Sequence, residues 1–232
     1  MSAHLHSPSR FLVRAVLFDL DGTLADTAPD LGGALNRMRL RRGLPVLPIE
    51  VLRPLASAGA RGMLAAGLDV TPAHAQYEAM RDEFLNEYAG ALDQDTRLFD
   101  GVQGLLSSLA AMGVRWGVVT NKAMRFTEPV IAALGVADDA AVVVGGDTTA
   151  HAKPHPAPLL HACDQLGIAP AQAVYVGDDL RDMQAARSAG MPAIVAAYGY
   201  LGDGGDIAQW PSDGVIHAPQ DLLELIAPMP QR

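Results

Sequence analysis

Positive charge is in short supply in this sequence. Over 232 residues, 17 Lys and Arg face 26 Asp and Glu, giving a formal charge of −9. Nothing in that balance points to nucleic acid, and an anionic ligand could be held only by a few placed cations or a metal. Cysteine is nearly absent. Cys163 stands alone in "LLHACDQLG", so no disulfide framework exists and a reducing cytoplasm fits. On a helical pattern that residue reads as core, not as a nucleophile. Long apolar runs are lacking too, none approaching the roughly 18 residues of a membrane span. The opening "MSAHLHSPSR" has no apolar segment of its own and reads as a loose tail, not a signal peptide. Aromatic residues make up 5% of a chain that is 50% hydrophobic, the balance of an Ala/Val/Leu-rich α/β protein and not of a β-sandwich.

What is present is an alternation. Short β-type runs each end in Gly, Asp or Asn: "AVLFDLDG" (15–22), "VRWGVVTNK" (114–122), "AAVVVGGD" (140–147), "AVYVGDD" (173–179) and "PAIVAAYGY" (192–200). Between them lie helical patterns that stop at glycine, the usual residue after a helix end: 102–113, 128–135, 157–167 and 179–190. Strand–helix alternation predicts a parallel sheet with helices on both faces, and in such sheets functional groups gather beyond the carboxyl ends of the strands. The polar punctuation falls there.

Residues 26–95 break the rhythm. They hold no clear strand, and "PDLGGALNRMRLRRG", "PIEVLRPLASAGARGMLAAG" and "PAHAQYEAMRDEFLNEYAGAL" read as helices with apolar spacings of three and four. The expected organisation is a core of residues 1–25 and 96–232 with a helical insert at 26–95, hinged at "ADTAPD" and "DQDTRLFDG". The stretch 199–214 is expected as a Gly/Asp-rich surface loop, and "APQDLLELIA" as a closing helix.

The first run drives a strand into Asp19 and Asp21, which strand periodicity would point the same way. Two adjacent carboxylates repel unless protonated or bridged by a cation, so this stretch asks for a metal, a proton-transfer role, or both. A calcium loop fits poorly: Gly22 comes two positions early and position twelve is Asp30, not Glu. Other strand ends supply matching parts. Thr120, with its neighbouring amides, could bind a phosphate oxygen. Lys153 precedes a helix start, where the dipole favours anions over cations, and so makes sense if an anion lies between them. Asp178 stands at the fourth strand tip and Asp182 one helical turn on, while Asp179 reads as a helix N-cap.

In order along the chain, "DLDGTLADT", "VVTNK", "KP" and "GDDLRD" resemble the four motifs of the haloacid dehalogenase-like superfamily, and the insert after the first resembles that family's type-1 cap. The resemblance covers nearly the whole chain. It implies a Rossmann-like core, a β-hairpin flap at "DGTLADT", and Mg²⁺-dependent phosphoryl transfer on a small-molecule phosphate monoester by a monomer or homodimer. Carried over by position, Asp19 would be nucleophile and metal ligand. Asp21 would be general acid/base, touching the metal through its backbone carbonyl. Thr120, Asn121 and Lys153 would hold the phosphoryl group, Asp178 would complete the metal site, and Asp182 would position metal-bound water or Lys153.

Charge supports that assignment. A phosphate dianion beside Asp19 and Asp178 brings about four negative charges together, each pair at ~4 Å repelling by ~4 kcal/mol at an effective dielectric near 20. One Mg²⁺ and Lys153 offset about three of them. Asp21 also discriminates, since dehalogenase relatives typically lack an acid there. Phosphonate-cleaving relatives use a cap lysine, and 26–95 contains none. Phosphoester hydrolysis fits best. A phosphomutase shares all four motifs and stays open, and a non-catalytic phosphosugar sensor would be expected to have lost one of these groups.

For the leaving group, "RPLASAGARGML" offers Arg53 and Arg61 as readers of a carboxylate, Arg61 ahead of Arg53, with Lys122 and Arg125 as further candidates. "GGDT", "KPHPAPLL" and "AAYGYL" resemble the phosphoglycolate phosphatase family; "SAGARGML", "LFDG" and "WGVVTNKAMRFTEP" resemble its N-acetylmuramic acid 6-phosphate phosphatase branch. Both substrates carry a carboxylate.

Overall fold

Four consecutive buried side chains, Ala15 to Phe18, form the strand on which the rest is built. The computed structural model describes residues 10–202 and 204–230, so the expected tail lies outside it except for Arg10. Among the described residues the strands are β1 (Phe11–Val13), β2 (Ala15–Phe18), β3 (Ala25–Asp26), β4 (Arg97–Leu98) and β5 (Arg115–Val119). They continue as β6 (Val143–Val144), β7 (Ala173–Gly177), β8 (Ala193–Ala196), β9 (Gly214–Ile216) and β10 (Ile226–Pro228). A parallel sheet runs β6-β5-β2-β7-β8-β9, the α/β arrangement expected.

Alternate residues of the central strands feed two separate cores. Val16, Phe18, Val174 and Val176 pack on one face; Ala15, Leu17, Ala173 and Tyr175 pack on the other. This is why the strands read as continuous apolar runs. Helices α5 (Val102–Ala111), α6 (Met124–Ala133), α7 (Ala157–Leu166) and α8 (Leu180–Ala189) flank the sheet, numbered after the four helices of the insert. Each is followed by a glycine of positive φ: Gly113, Gly135, Gly167 and Gly190. Cys163 is buried on α7, where burial pushes its thiol up to about 11. Trp116 and Trp210 are buried in the two cores.

Between β3 and β4 the regular structure is helical: α1 (Ala28–Arg41), α2 (Ile49–Leu52), α3 (Gly59–Leu68) and α4 (Tyr77–Ala89). The single helix expected over 48–67 is instead α2, a 3-10 turn at Arg53–Ala58, and α3. Pro54 removes one N–H, and Gly59, at φ 56°, redirects the chain. The two ends of this helical segment are tied together. β3 pairs antiparallel with β4, and the Asp30 carboxylate accepts from the N–H groups of Asp95 and Thr96 and from the Thr96 hydroxyl at 2.7 Å.

Three sequence expectations are corrected. The first strand ends at Phe18, so Asp19 and Asp21 lie in a loop: the Leu20 carbonyl accepts from the N–H groups of Leu24 and Ala25 at 3.1 and 2.9 Å. The expected flap hairpin is therefore a tight turn whose second arm, β3, pairs with β4. The closing helix over 218–227 is one turn, α9 (Leu222–Leu225). Ile226 then turns extended to pair with Phe11, a tertiary partner outweighing the weak propensity of so short a helix.

Candidate active site

Phe18 lies level with Val118 and Val176, so the residues just past β2, β5 and β7 (Asp19, Thr120 and Asp178) share one edge of the sheet. Register alone brings them together. Asp178 is fully buried and has no cationic partner among the described residues. Its oxygens accept from the Thr23 hydroxyl at 2.9 Å, the Tyr200 N–H at 2.8 Å and the Ser57 hydroxyl at 3.4 Å. Burial, then the charges of Asp19 and Asp182, holds this carboxyl well above the ordinary range.

Lys153 answers the other two acids. Its ammonium sits 3.0 Å from Asp19 Oδ1 and 2.7 Å from Asp182 Oδ1, and donates to the Tyr175 hydroxyl at 2.7 Å. Tyr175 in turn donates to the Val119 carbonyl. Burial works against this ammonium, yet Asp182 and Asp19 outweigh it and raise its pKa. Asn121, expected at the phosphate, has its side-chain amide engaged in both directions by the Lys153 backbone, at 2.9 Å each way. It holds the Lys153 loop, and its backbone N–H is what it can offer a ligand. Asp179 caps α8 as expected and takes a two-point contact from Arg181 at 2.8 and 2.7 Å, while the other Arg181 contact reaches the Ser57 carbonyl.

Asp21 faces the same cleft from the other side. Its Oδ1 accepts from the Thr27 hydroxyl and lies 2.9 Å from the Lys122 ammonium. Lys122 is buried, which disfavours its charge, but the Asp21 carboxylate and then Tyr88 raise its pKa overall. Lys122 and Lys153 are the only lysines in the sequence, and both are buried against catalytic candidates. That scarcity was the signal that could have promoted Lys122 from further candidate to central residue. Glycine lets the loops approach so closely: a Cβ on Gly22, at φ +88°, would stand 2.1 Å from Asp178 Oδ2, and one on Gly177 would stand 2.3 Å from Asp182 Oδ2.

These groups open on a cleft of about 340 Å³ walled by both the sheet edge and the helical segment. Its wall carries six cations (Arg61, Arg81, Lys122, Arg125, Lys153, Arg181) against four acids (Asp19, Asp21, Asp179, Asp182). A chain of net charge −9 thus presents a net cationic cleft. Arg61 and Arg125 have no carboxylate partner among the described residues. Arg53 is not in the wall: it pairs with Asp26, which also accepts from the Tyr200 hydroxyl at 2.8 Å. The structure does not bring it to the cleft. His151 and His155 stack on each other outside, their ring centroids 4.4 Å apart.

Asp19, Asp178 and Asp182 each offer an oxygen within 4.8 Å of the others. An all-carboxylate set suits a hard divalent cation, and Asp178, fully buried without an ion pair, is the group whose ionised form most needs one. A pH prediction follows. Asp178 and Asp182 (the latter pushed up to about 7 by burial, against the pull of Lys153) hold protons in the folded state that unfolded carboxylates have lost. Between about pH 4 and 7 the folded form therefore binds more protons, and stability falls as pH rises through that window. Thermal melting in chelator is expected to show that fall, and millimolar divalent cation to flatten it. Coincident profiles with and without the cation would show that it does not bind among these acids.

The family model described as "Haloacid dehalogenase-like hydrolase" matches residues 16–196. A phosphoglycolate phosphatase of Xanthomonas campestris pv. campestris (strain 8004) is 48% identical over 212 residues, covering 91% of this chain and 95% of that one. An N-acetylmuramic acid 6-phosphate phosphatase of Pseudomonas aeruginosa is 40% identical over 217 residues, covering 94% and 96%. Among solved structures, one described as a predicted phosphoglycolate phosphatase from Haemophilus somnus 129pt superposes with a TM-score of 0.78 at 28% identity, covering 91% of this chain and 97% of that one. No helix among the described residues is long and apolar enough to cross a membrane.

Proposed function

We propose, from the premise that this chain belongs to the haloacid dehalogenase-like hydrolases and is a phosphoric monoester hydrolase, that it cleaves a small carboxylated phosphate ester in the cytoplasm, with Mg²⁺ as its cation. The candidate esters are 2-phosphoglycolate and N-acetylmuramic acid 6-phosphate, the substrates named for the two relatives. The observation that carries the reading is a cleft where Asp19 and Asp21 meet two buried lysines beneath unpaired arginines.

The side chains of Asp19 and Asp178 and the backbone carbonyl of Asp21 would hold Mg²⁺, leaving Asp182 to Lys153 and the Asp179 N–H. When bound, the cation supplies charge neutralisation between the phosphoryl oxygens and the carboxylates. In the first step an Asp19 oxygen attacks phosphorus and the bond to the leaving oxygen breaks as Asp21 delivers a proton to it. In the second, Asp21 takes a proton from water as that water attacks the aspartyl-phosphate, releasing inorganic phosphate and restoring Asp19. Lys153 stays beside the attacking carboxylate throughout, and Thr120 and the Asn121 N–H face the transferred oxygens. Residues 26–95 act as a cap over the core of 1–25 and 96–232, excluding water. The Arg53–Asp26–Tyr200 chain anchors its first hinge.

Arg61, unpaired in the cleft wall, reads the leaving-group carboxylate as a bidentate partner. Arg61→Ala is expected to raise KM about 10- to 100-fold for the carboxylated esters, the scale of a charge-assisted hydrogen bond, while sparing p-nitrophenyl phosphate. An equal loss on both refutes the carboxylate role. A kcat/KM comparison of 2-phosphoglycolate, N-acetylmuramic acid 6-phosphate and hexose phosphates with Mg²⁺, scored by inorganic phosphate release, tests the substrate class. An isomerised ester without phosphate release would make the protein a mutase.

A further inference from the structure

Tyr88, on α4, is only 1% exposed, and its hydroxyl has no hydrogen-bond partner among the described residues. It is the single buried side-chain polar atom there of which this is true. A hydroxyl removed from water without a replacement partner is unfavourable. Its position is not incidental, since Tyr88 stands in the cleft wall beside Asp21 and the Lys122 ammonium, which lies 4.7 Å from its ring centroid. Phe126, on α6, packs on the same ring at 5.5 Å between centroids. The ring is thus fixed by core contacts from α6, while its hydroxyl lies against the Lys122 ammonium and its proton has no acceptor among the described residues.

We infer that the Tyr88 hydroxyl is a specificity-determining donor to a carboxylate oxygen of the leaving group, acting beside the Lys122 ammonium. The inference rests on the carboxylated-ester reading above. An acceptor is required because burial raises the phenol, which keeps its proton and has it to give. An anionic acceptor is favoured because the nearest charge is an ammonium and the cleft wall as a whole is cationic. Tyr88 also belongs to the helical segment, whereas Lys122 follows β5, so a leaving group held by both bridges the two sides of the cleft. Arg61 lies elsewhere in that wall, on α3, and its bidentate contact would leave each carboxylate oxygen a lone pair for the Tyr88 hydroxyl.

Tyr88→Phe deletes the hydroxyl and keeps the ring that packs on Phe126. The full-length protein, with Mg²⁺, is to be assayed on 2-phosphoglycolate, N-acetylmuramic acid 6-phosphate, ethyl phosphate and p-nitrophenyl phosphate, the last two lacking a carboxylate. A fall of about 10- to 100-fold in kcat/KM, carried by KM, is expected on the ester whose carboxylate wild type prefers. Ethyl and p-nitrophenyl phosphate should change by less than about twofold. The ligand-free variant should melt no lower than wild type, because a polar group that lacked a partner is gone. An unchanged preference in the variant overturns the inference alone and leaves the substrate class standing, with a water satisfying the hydroxyl. A uniform loss on all four esters with a lowered melting temperature overturns it as well, making Tyr88 a packing residue. If wild type prefers neither carboxylated ester over ethyl phosphate, the parent reading fails and this inference falls with it.

Discussion

Asp19→Asn is expected to lower kcat on every phosphate monoester by ~10⁴-fold or more, the scale on which removing an attacking nucleophile acts. Asparagine keeps the shape of the side chain but cannot form the aspartyl-phosphate, so substrate binding should survive while turnover stops. The same change should make the metal-free protein melt higher, not lower. Asp19 is one of three acids crowded at the sheet edge, and its charge is among the causes that hold the Asp178 and Asp182 carboxyls up. Removing it relieves that repulsion, although it also takes one partner from Lys153. Mg²⁺ should bind more weakly to the variant, since one carboxylate of the set is gone. Rapid-quench trapping of phosphorylated protein, together with melting in chelator and in Mg²⁺, checks all three effects. Full hydrolytic rate in the variant would sink the nucleophile assignment.

The parts of the site legible in the sequence are those that a parallel sheet places by rule. Asp19, Thr120 and Asp178 each follow an apolar run, and once those runs pair in register their ends coincide. Lys153 was legible because a cation before a helix start needed an explanation, and the Asp19–Asp182 pair supplies it. What escaped depends on tertiary pairing of segments too short to carry a period. β9 is three residues long, and β1 and β10 are formed only by each other. The contacts that set the cleft escaped for a related reason. Tyr88, Ser57 and Tyr200 meet Lys122, Asp178 and Asp26 across 34, 121 and 174 positions of chain, and no local pattern encodes such meetings. Arg53 shows the converse limit. It and Arg61 flank the same turn, yet Asp26 captures one and leaves the other in the wall without a carboxylate partner among the described residues.

Lys153→Met should affect stability more than any other single change at the site. Methionine nearly fills the space of the lysine stem, so packing is largely retained and the loss is that of the ammonium. That ammonium holds two carboxylates, one of them the fully enclosed Asp182, and its side chain is only 2% exposed. Breaking a buried pair from one side costs about 3–5 kcal/mol, which for a chain of this size corresponds to about 6–20 °C in melting temperature. The sign with pH is fixed by the acids left behind. Without the cation, Asp182 takes up a proton more readily in the folded state, so the deficit should be small near about pH 4 and grow toward 7. Mg²⁺ should recover part of the melting temperature by replacing some of the missing charge, but not the rate. Loss of a placed donor at a charged transition state lowers kcat by ~10²–10³-fold, and a cation held by Asp19 and Asp178 would not replace that donor. A variant that melts within about 2 °C of wild type at pH 7.5 in chelator would mean that water, not Lys153, neutralises Asp182, and the electrostatic account of the cleft would have to be rebuilt around that.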